Sequence, residues 1–252
     1  MRQDDHALSA QLATEAGELL LGVRTEGLAG RALKEEGDQR SNELLLARLA
    51  ELRPGDPVLS EESADSEIRL LAERVWIVDP LDGTREFSEG DRTDWAVHVA
   101  LVESGDLVAG AVALPAQGRT LSTAHRLAVP PPRGGRARLL VSRTRPSEHA
   151  AALAAELGAE LVPMGSAGAK AMAVVTGAAD VYAHSGGQYE WDSAAPVAVA
   201  AAAGLHVSRL DGSPLRYNQP DPWLPDLLIC RPDLTDRVLA ALAQIGARKM
   251  PA

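Results

Sequence analysis

Two aspartates stand three residues apart in Asp79-Pro80-Leu81-Asp82-Gly83-Thr84, directly behind the apolar run Arg74–Val78. Further acids sit at Glu61-Glu62, in Leu-Ser-Glu-Glu, and at Asp192, in Tyr-Glu-Trp-Asp-Ser-Ala-Ala-Pro. Carboxylates brought this close repel one another, and some must take up protons unless a cation lies between them. An oxygen-only donor set, with no cysteine and little histidine near it, suits a hard divalent ion such as Mg2+. Pro80 stiffens the turn and leaves the Leu81 carbonyl free as one more oxygen ligand. Gly83 and Thr84 open a short expected helix, whose free amides can hold a phosphate oxygen. Acids for metal, amides for phosphate and a hydroxyl between them fit phosphoester hydrolysis by a metal-activated water.

Taken singly, each piece has a plainer reading. Leu-Ser-Glu-Glu makes a solvated turn, the hexapeptide an Asx turn, and Asp192 a capping side chain at a helix start. What favours the chemical reading is that all three occur in order, each at the end of a structural element.

Those elements follow from periodicity. Apolar residues at Leu8, Leu12, Ala16, Leu19, Leu20 and Val23 have helical spacing, and 41–52 reads as a second helix ended by Pro54-Gly55. Strand 57–60, a short helix at 66–72 and strand 74–78 lead to the hexapeptide, where Pro80 is expected to stop regular pairing. Runs 95–102 and 107–114 flank a hairpin turn at 103–106, with a third strand near 119–123. From 138 onward, strands at 138–142, 159–163, 180–184, 205–209 and 226–230 are interleaved with helices at 147–157, 167–176, 192–203 and 233–246. The expected class is mixed α/β (α+β), with halves at 1–132 and 133–252 divided in the Pro/Gly/Arg stretch 129–136. The metal-binding loops lie in the first half, and the second completes the site.

A net charge of −10 argues against nucleic acid as a partner. The charge is uneven: residues 60–94 carry eleven acids against four arginines, whereas 130–150 carry five arginines against Glu148. By default two such blocks are solvated faces; the alternative is a cation site and an anion site on opposite walls of one cleft. No run is long and apolar enough to span a membrane, and the N-terminus has no apolar segment of a secretory signal. The single cysteine, Cys230, reads as a small buried hydrophobe in a cytoplasmic protein.

The set Leu-Ser-Glu-Glu, Trp-Ile-Val-Asp-Pro-Leu-Asp-Gly-Thr-Arg-Glu-Phe and Glu-Trp-Asp-Ser-Ala-Ala-Pro, with Gly165–Tyr182 between the last two, resembles the inositol monophosphatase superfamily. The likeness covers nearly the whole chain. It implies a sugar-phosphatase-type layered αβαβα sandwich and lithium-sensitive, Mg2+-dependent phosphatase chemistry. Arg85-Glu86-Phe87 stands where inositol monophosphatases usually carry a second threonine and an asparagine. With the Gly-Ala-Lys segment and the tail Leu210–Asp221, it resembles the CysQ branch, the 3'(2'),5'-bisphosphate nucleotidases, especially actinobacterial members. By that resemblance Glu61, Asp79 and the Leu81 carbonyl would hold one Mg2+, and Asp79, Asp82 and Asp192 a second. A third, weaker ion would sit near Glu61, with Glu62 behind the ligands. Thr84 would orient the attacking water, with Asp38 behind it. The family's pattern around that acid is absent from Leu33–Asn42, so Glu35 and Glu36 remain alternatives to Asp38, which is expected just before a helix.

The resemblance places the substrate against Gly83, Thr84, Ser142, Arg145, Ser166, Lys170 and Asp192. The second phosphate of a nucleotide bisphosphate needs a local cation, for which arginines 133–145 and Lys170 are candidates. His98 reads as structural. His184, Tyr189, Tyr217 and Trp223 are candidates for the cleft wall, the three aromatics either for stacking on adenine or for the core. The expected activity is hydrolysis of 3'-phosphoadenosine 5'-phosphate, or its phosphosulfate, within sulfate assimilation; a homodimer is one option for an oligomeric state that the sequence leaves open. Inositol phosphate or fructose 1,6-bisphosphate hydrolysis is the nearest alternative. A non-catalytic cation-binding protein and a two-carboxylate glycosidase stand further off.

Overall fold

The computed structural model describes residues 4–125, 127–144 and 148–249. Helices α1 (Asp5–Val23) and α2 (Gly30–Leu52) precede β1 (Val58–Ser60), a 3-10 turn (Glu67–Leu71), β2 (Arg74–Asp82) and α3 (Thr84–Ser88). Strands β3 (Ala96–Glu103), β4 (Asp106–Leu114) and β5 (Arg119–Ser122) follow. The rest runs β6 (Arg138–Ser142), α4 (Glu148–Leu157), β7 (Glu160–Met164), α5 (Ala167–Val175), β8 (Val181–Tyr189), α6 (Glu190–Ala202), β9 (His206–Ser208), β10 (Trp223–Cys230) and α7 (Thr235–Lys249).

The strands form two five-stranded sheets, ordered β1-β2-β3-β4-β5 and β7-β6-β8-β10-β9. In the first, β1 runs parallel to β2 and the remaining pairs are antiparallel. In the second, β6 is parallel to both β7 and β8, whereas β10 pairs antiparallel with β8 and β9. The alternation of side chains along each strand decides the layers. Trp76, Val78, Val97, Val99 and Leu101 pack with Leu8, Leu12, Leu20, Leu45 and Leu49 of α1 and α2. Their neighbours Val75, Ile77, Ala96, Ala100 and Val102 face α5 and α6. Those two helices also cover Tyr182, Leu227 and Ile229 of the second sheet. Leu228 and Cys230 point the other way, into α4 and α7. The result is five layers, αβαβα, with α5 and α6 shared by both sheets. Small side chains make that middle layer thin enough: a Cβ at Gly110 of β4 would lie 2.7 Å from the Ala198 methyl of α6.

Two expectations change. Strand β2 continues past Pro80 to Asp82, with a register shift between Asp79 and Asp82 where Pro80 and Leu81 leave the ladder. The second helix begins at Gly30, so Asp38 lies within it rather than before it. Cys230 is fully buried as expected, and burial pushes its thiol up to about 11.

Candidate active site

The irregularity in β2 is what aims the acids. Asp79 still pairs with His98 and Asp82 with Ala96, so Pro80 and Leu81 bulge between them. Ser41 on α2 donates to the Pro80 carbonyl at 2.7 Å, tying the bulge to the helix above it. The Leu81 amide donates to Asp79 Oδ1 at 3.1 Å, and Thr84 Oγ1 donates to the Leu81 carbonyl at 3.2 Å. Gly83, at φ 88°, turns the chain into α3.

Asp82 meets the N-terminus of α5. Its carboxylate accepts the Ser166 hydroxyl at 2.5 Å, the Ala167 amide at 3.1 Å and the Gly168 amide at 2.6 Å. Asp192, in the first turn of α6, accepts the Tyr189 amide at 2.6 Å through Oδ2. It therefore stabilises the helix start, as the plainer reading had it, and also reaches the cluster. Carboxylate oxygens of Asp79, Asp82 and Asp192 lie within 4.8 Å of one another. Asp79 Oδ2 is buried without a hydrogen-bond partner. An orphaned buried oxygen among three converging acids is the signature of a missing counter-charge, and the all-oxygen set fits a hard divalent cation.

Glu61 lines the same cleft as Asp82 and Asp192, outside the 4.8 Å group. Its segment is held from two sides. Asn42 accepts the Ser60 hydroxyl at 2.7 Å and donates to Ser63 at 3.1 Å. Buried Arg69 grips Asp65 with two bonds, at 2.7 and 2.8 Å, and Asn218 with a third at 2.8 Å. The Asn218 and Gln219 amides in turn donate to buried Glu190 on α6, at 2.6 and 2.8 Å. The tail around Asn218 thus braces the Glu61 segment against the helix that carries Asp192.

Electrostatics report the same crowding. Burial, then Glu61, Asp82 and Asp192, raises the Asp79 carboxyl far above its usual range. Burial and Asp82 lift Asp192 to about 6. Desolvation by the cleft, then Asp192 and Glu62, lifts Glu61 to about 8, although its side chain still reaches solvent. Burial and Glu62 lift Asp38 to about 7. Asp82 alone goes down, to about 2: burial would raise it, but the His98 ring, the Ser166 hydroxyl and Lys170 outweigh that.

A carboxyl whose folded value exceeds its unfolded value of 3.8 or 4.5 destabilises the fold as pH rises between the two values. Asp82 acts oppositely, and its contribution disappears only as pH falls toward 2. The metal-free protein is therefore expected to melt higher at pH 5.5 than at pH 8. Excess Mg2+ raises the midpoint more at pH 8, where the acids are ionised. Thermal scans in EDTA and in Mg2+ at both pH values check this, and a midpoint indifferent to Mg2+ contradicts it.

Lys170 is buried, with its ammonium bonded to the Ser166 carbonyl at 2.6 Å and lying 5.2 Å from the centre of the Tyr182 ring. Burial pulls its pKa down, against the pull of Asp82, Glu86 and Asp192. Ser142, Ser166 and Lys170 share one cavity of about 800 Å3 with Glu61, Asp82 and Asp192. Arg145 lies outside the described residues. Three of the other arginines are engaged elsewhere: Arg136 binds the Gly158 and Ala159 carbonyls, Arg138 binds Asp180, and Arg143 binds Glu86 and Glu89. Tyr217 is a core residue bonded to Ser193, which removes it from the stacking candidates. No hydrogen bond joins Asp38 to Thr84 among the described residues.

His98 is the residue that the sequence reading undervalued. It is fully buried, donates through Nδ1 to the Trp191 carbonyl at 3.0 Å, and places Nε2 3.2 Å from Asp82 Oδ2, out of hydrogen-bond geometry. It touches both acid-bearing elements at once. Arg69, Asn218 and Glu190 were likewise missed, because each acts through a partner remote in sequence.

The inositol monophosphatase family pattern matches residues 2–129 and 133–247, so the chain belongs to that family. It is 52% identical over 255 residues to the 3'-phosphoadenosine 5'-phosphate phosphatase of Mycobacterium leprae, covering 96% of this chain and 94% of the relative. Against the 3'(2'),5'-bisphosphate nucleotidase CysQ of Escherichia coli K12 it is 32% identical, over 85% of this chain and 94% of that one. The crystal structure of CysQ from Bacteroides thetaiotaomicron superposes with a TM-score of 0.78 at 26% identity, covering 89% of this chain and 96% of the other.

Proposed function

We propose that this chain is a Mg2+-dependent phosphatase that removes the 3'-phosphate of 3'-phosphoadenosine 5'-phosphate, releasing AMP and inorganic phosphate. The observation that carries this reading is the make-up of one cleft. Asp82, Asp192 and Glu61 line it with a buried lysine, and buried Asp79, with its orphaned oxygen, converges on the two aspartates. The name of the mycobacterial relative supports the choice of nucleotide, and the cavity of about 800 Å3 is large enough for one.

Asp79, Asp82, Asp192, Glu61 and the Leu81 carbonyl would hold two to three Mg2+ ions. When bound, these ions supply charge to the phosphate and an ionised water for attack. Ser166 and the Ala167 and Gly168 amides lock the Asp82 carboxylate in one orientation. The Thr84 hydroxyl spends its proton on the Leu81 carbonyl, so it meets a water as an acceptor. Asp38, raised to about 7 by burial and Glu62, is suited to serve as a proton acceptor. Gly83 and Thr84 offer amides to the phosphate, and Ser142, Arg145 and Lys170 serve the remaining phosphate and sugar. Inositol phosphate and fructose 1,6-bisphosphate use the same chemistry, so specificity needs a direct comparison. With Mg2+ present, kcat/KM for 3'-phosphoadenosine 5'-phosphate is expected to exceed that for inositol 1-phosphate and fructose 1,6-bisphosphate by at least about tenfold. Equal values for the three substrates would remove the nucleotide assignment and leave the phosphatase.

A further inference from the structure

Aromatic side chains are scarce in this protein, four tryptophans, three tyrosines and one phenylalanine. Phe87, Trp76, Trp95, Tyr182 and Tyr217 are buried, and Trp191 is half-buried. Only Tyr189 and Trp223 are exposed, at 46% and 48%, and both line the cleft that holds the acids. Exposing an indole to water forfeits apolar burial, so two such losses at one wall of one cleft call for an occupant.

The local backbone is built around that wall. Tyr189 and Trp223 are register partners on β8 and β10, which puts their side chains on one face of the sheet. Tyr189 is stacked on Trp191, ring centres 4.7 Å apart and planes 11° from parallel. The Trp223 indole lies against the backbone of Gly187. A Cβ there would come within 2.6 Å of Nε1 and 3.0 Å of Cε2 and Cζ2. With φ at +89°, Gly187 also adopts a conformation that disfavours any side chain. The indole is thereby pinned at its edge, with about half its surface left open.

We infer that Trp223, seated on Gly187 and flanked by the Tyr189–Trp191 stack, is the platform on which the nucleobase of the substrate lies. This rests on the proposed nucleotide phosphatase activity and names what selects a nucleotide over other phosphate monoesters. The acids and Lys170 serve the phosphates. A polyol phosphate has no planar face to cover the aromatic wall, whereas a purine does so at no charge cost. Stacking of a base on an aromatic side chain is worth about 10–100-fold in binding when removed by alanine.

The test compares 3'-phosphoadenosine 5'-phosphate with the corresponding sugar 3',5'-bisphosphate lacking a base. In the Mg2+-loaded enzyme, Trp223→Ala raises KM for the nucleotide about 10–100-fold, with kcat little changed and values for the abasic compound unmoved. Trp223→Phe keeps most of the nucleotide affinity, and Gly187→Ala, which displaces the indole, follows Trp223→Ala in direction. AMP quenches tryptophan fluorescence in the wild type and less in Trp223→Phe. If both substrates weaken equally, or neither does, the platform assignment is wrong even though the nucleotide is a substrate. If the wild type shows no preference for the nucleotide over the abasic compound, the platform fails too. Failure of the wild type to hydrolyse the nucleotide at all sinks the functional reading instead. Circular dichroism excludes unfolding, and the phenylalanine variant decides should the alanine variant not fold.

Discussion

Asp82→Asn lowers kcat/KM by about 10^3-fold, the ~4 kcal/mol that metal-centred charge stabilisation contributes to a phosphoryl transition state. The substitution is nearly isosteric and leaves the β2 bulge in place. It removes one of the three carboxylates that converge within 4.8 Å, and with it one of the proposed metal ligands. It also turns one acceptor oxygen into a donor. Both Asp82 oxygens are occupied by donors, Oδ1 by the Ala167 amide and Oδ2 by the Ser166 hydroxyl and the Gly168 amide. Whichever way the new amide turns, it faces a donor, which costs about 1–3 kcal/mol for the group left unpaired. Against that stands relief of repulsion with Asp79 and Asp192 in the metal-free protein. The two effects oppose each other, so the melting midpoint in EDTA changes little while the rise on adding Mg2+ is largely lost. Undiminished activity in Asp82→Asn would contradict the metal assignment directly.

Gly168→Ala is the second large effect, and it travels through His98. An added Cβ would sit 2.1 Å from His98 Nε2 and 3.1 Å from the Ala96 methyl. His98 has nowhere to go: it is fully buried and held by the Trp191 carbonyl. The first turn of α5 must therefore back away from β3, and that turn carries every donor that orients Asp82. Overpacking of this kind costs about 1–3 kcal/mol. A displaced Asp82 also raises the Mg2+ concentration needed for half-maximal stabilisation. Removing the obstacle tests the cause: in a His98→Ala background, Gly168→Ala is expected to cost less than about half as much. The coupling is read from a double-mutant cycle of denaturant melts. Equal costs in both backgrounds would show that His98 is not what the methyl meets.

These two substitutions mark the divide between what was legible in the chain and what was not. The acids of the hexapeptide, Glu61 and Asp192 could be picked out because each ends an element, and ends are where a chain can spend polar side chains. The start of α2 could not be read. Its buried positions Leu33, Gly37, Ser41, Leu45 and Leu49 follow one face, but glycine and serine stand where the helix crosses Phe87 and the Pro80 carbonyl. Small residues allow that close approach and at the same time erase the apolar period that announces a helix. The charge blocks misled in the other direction. Arginines 136, 138 and 143 looked like an anion site, yet carbonyls and carboxylates 22 to 57 residues away in sequence take them up.

By itself, then, the sequence determined the mixed α/β class, the identity of the acids and the kind of ion they suit, because periodicity and donor chemistry are local properties. Only the tertiary structure decided which polar groups support those acids. His98 reads as a polar misfit on an apolar strand until β3, α5 and α6 are packed around it. Tyr189, Tyr217 and Trp223 are equal candidates until burial removes one and exposes two. Both outcomes depend on contacts between residues far apart in the chain, where distance and burial decide the role of a side chain and local pattern carries no record of either.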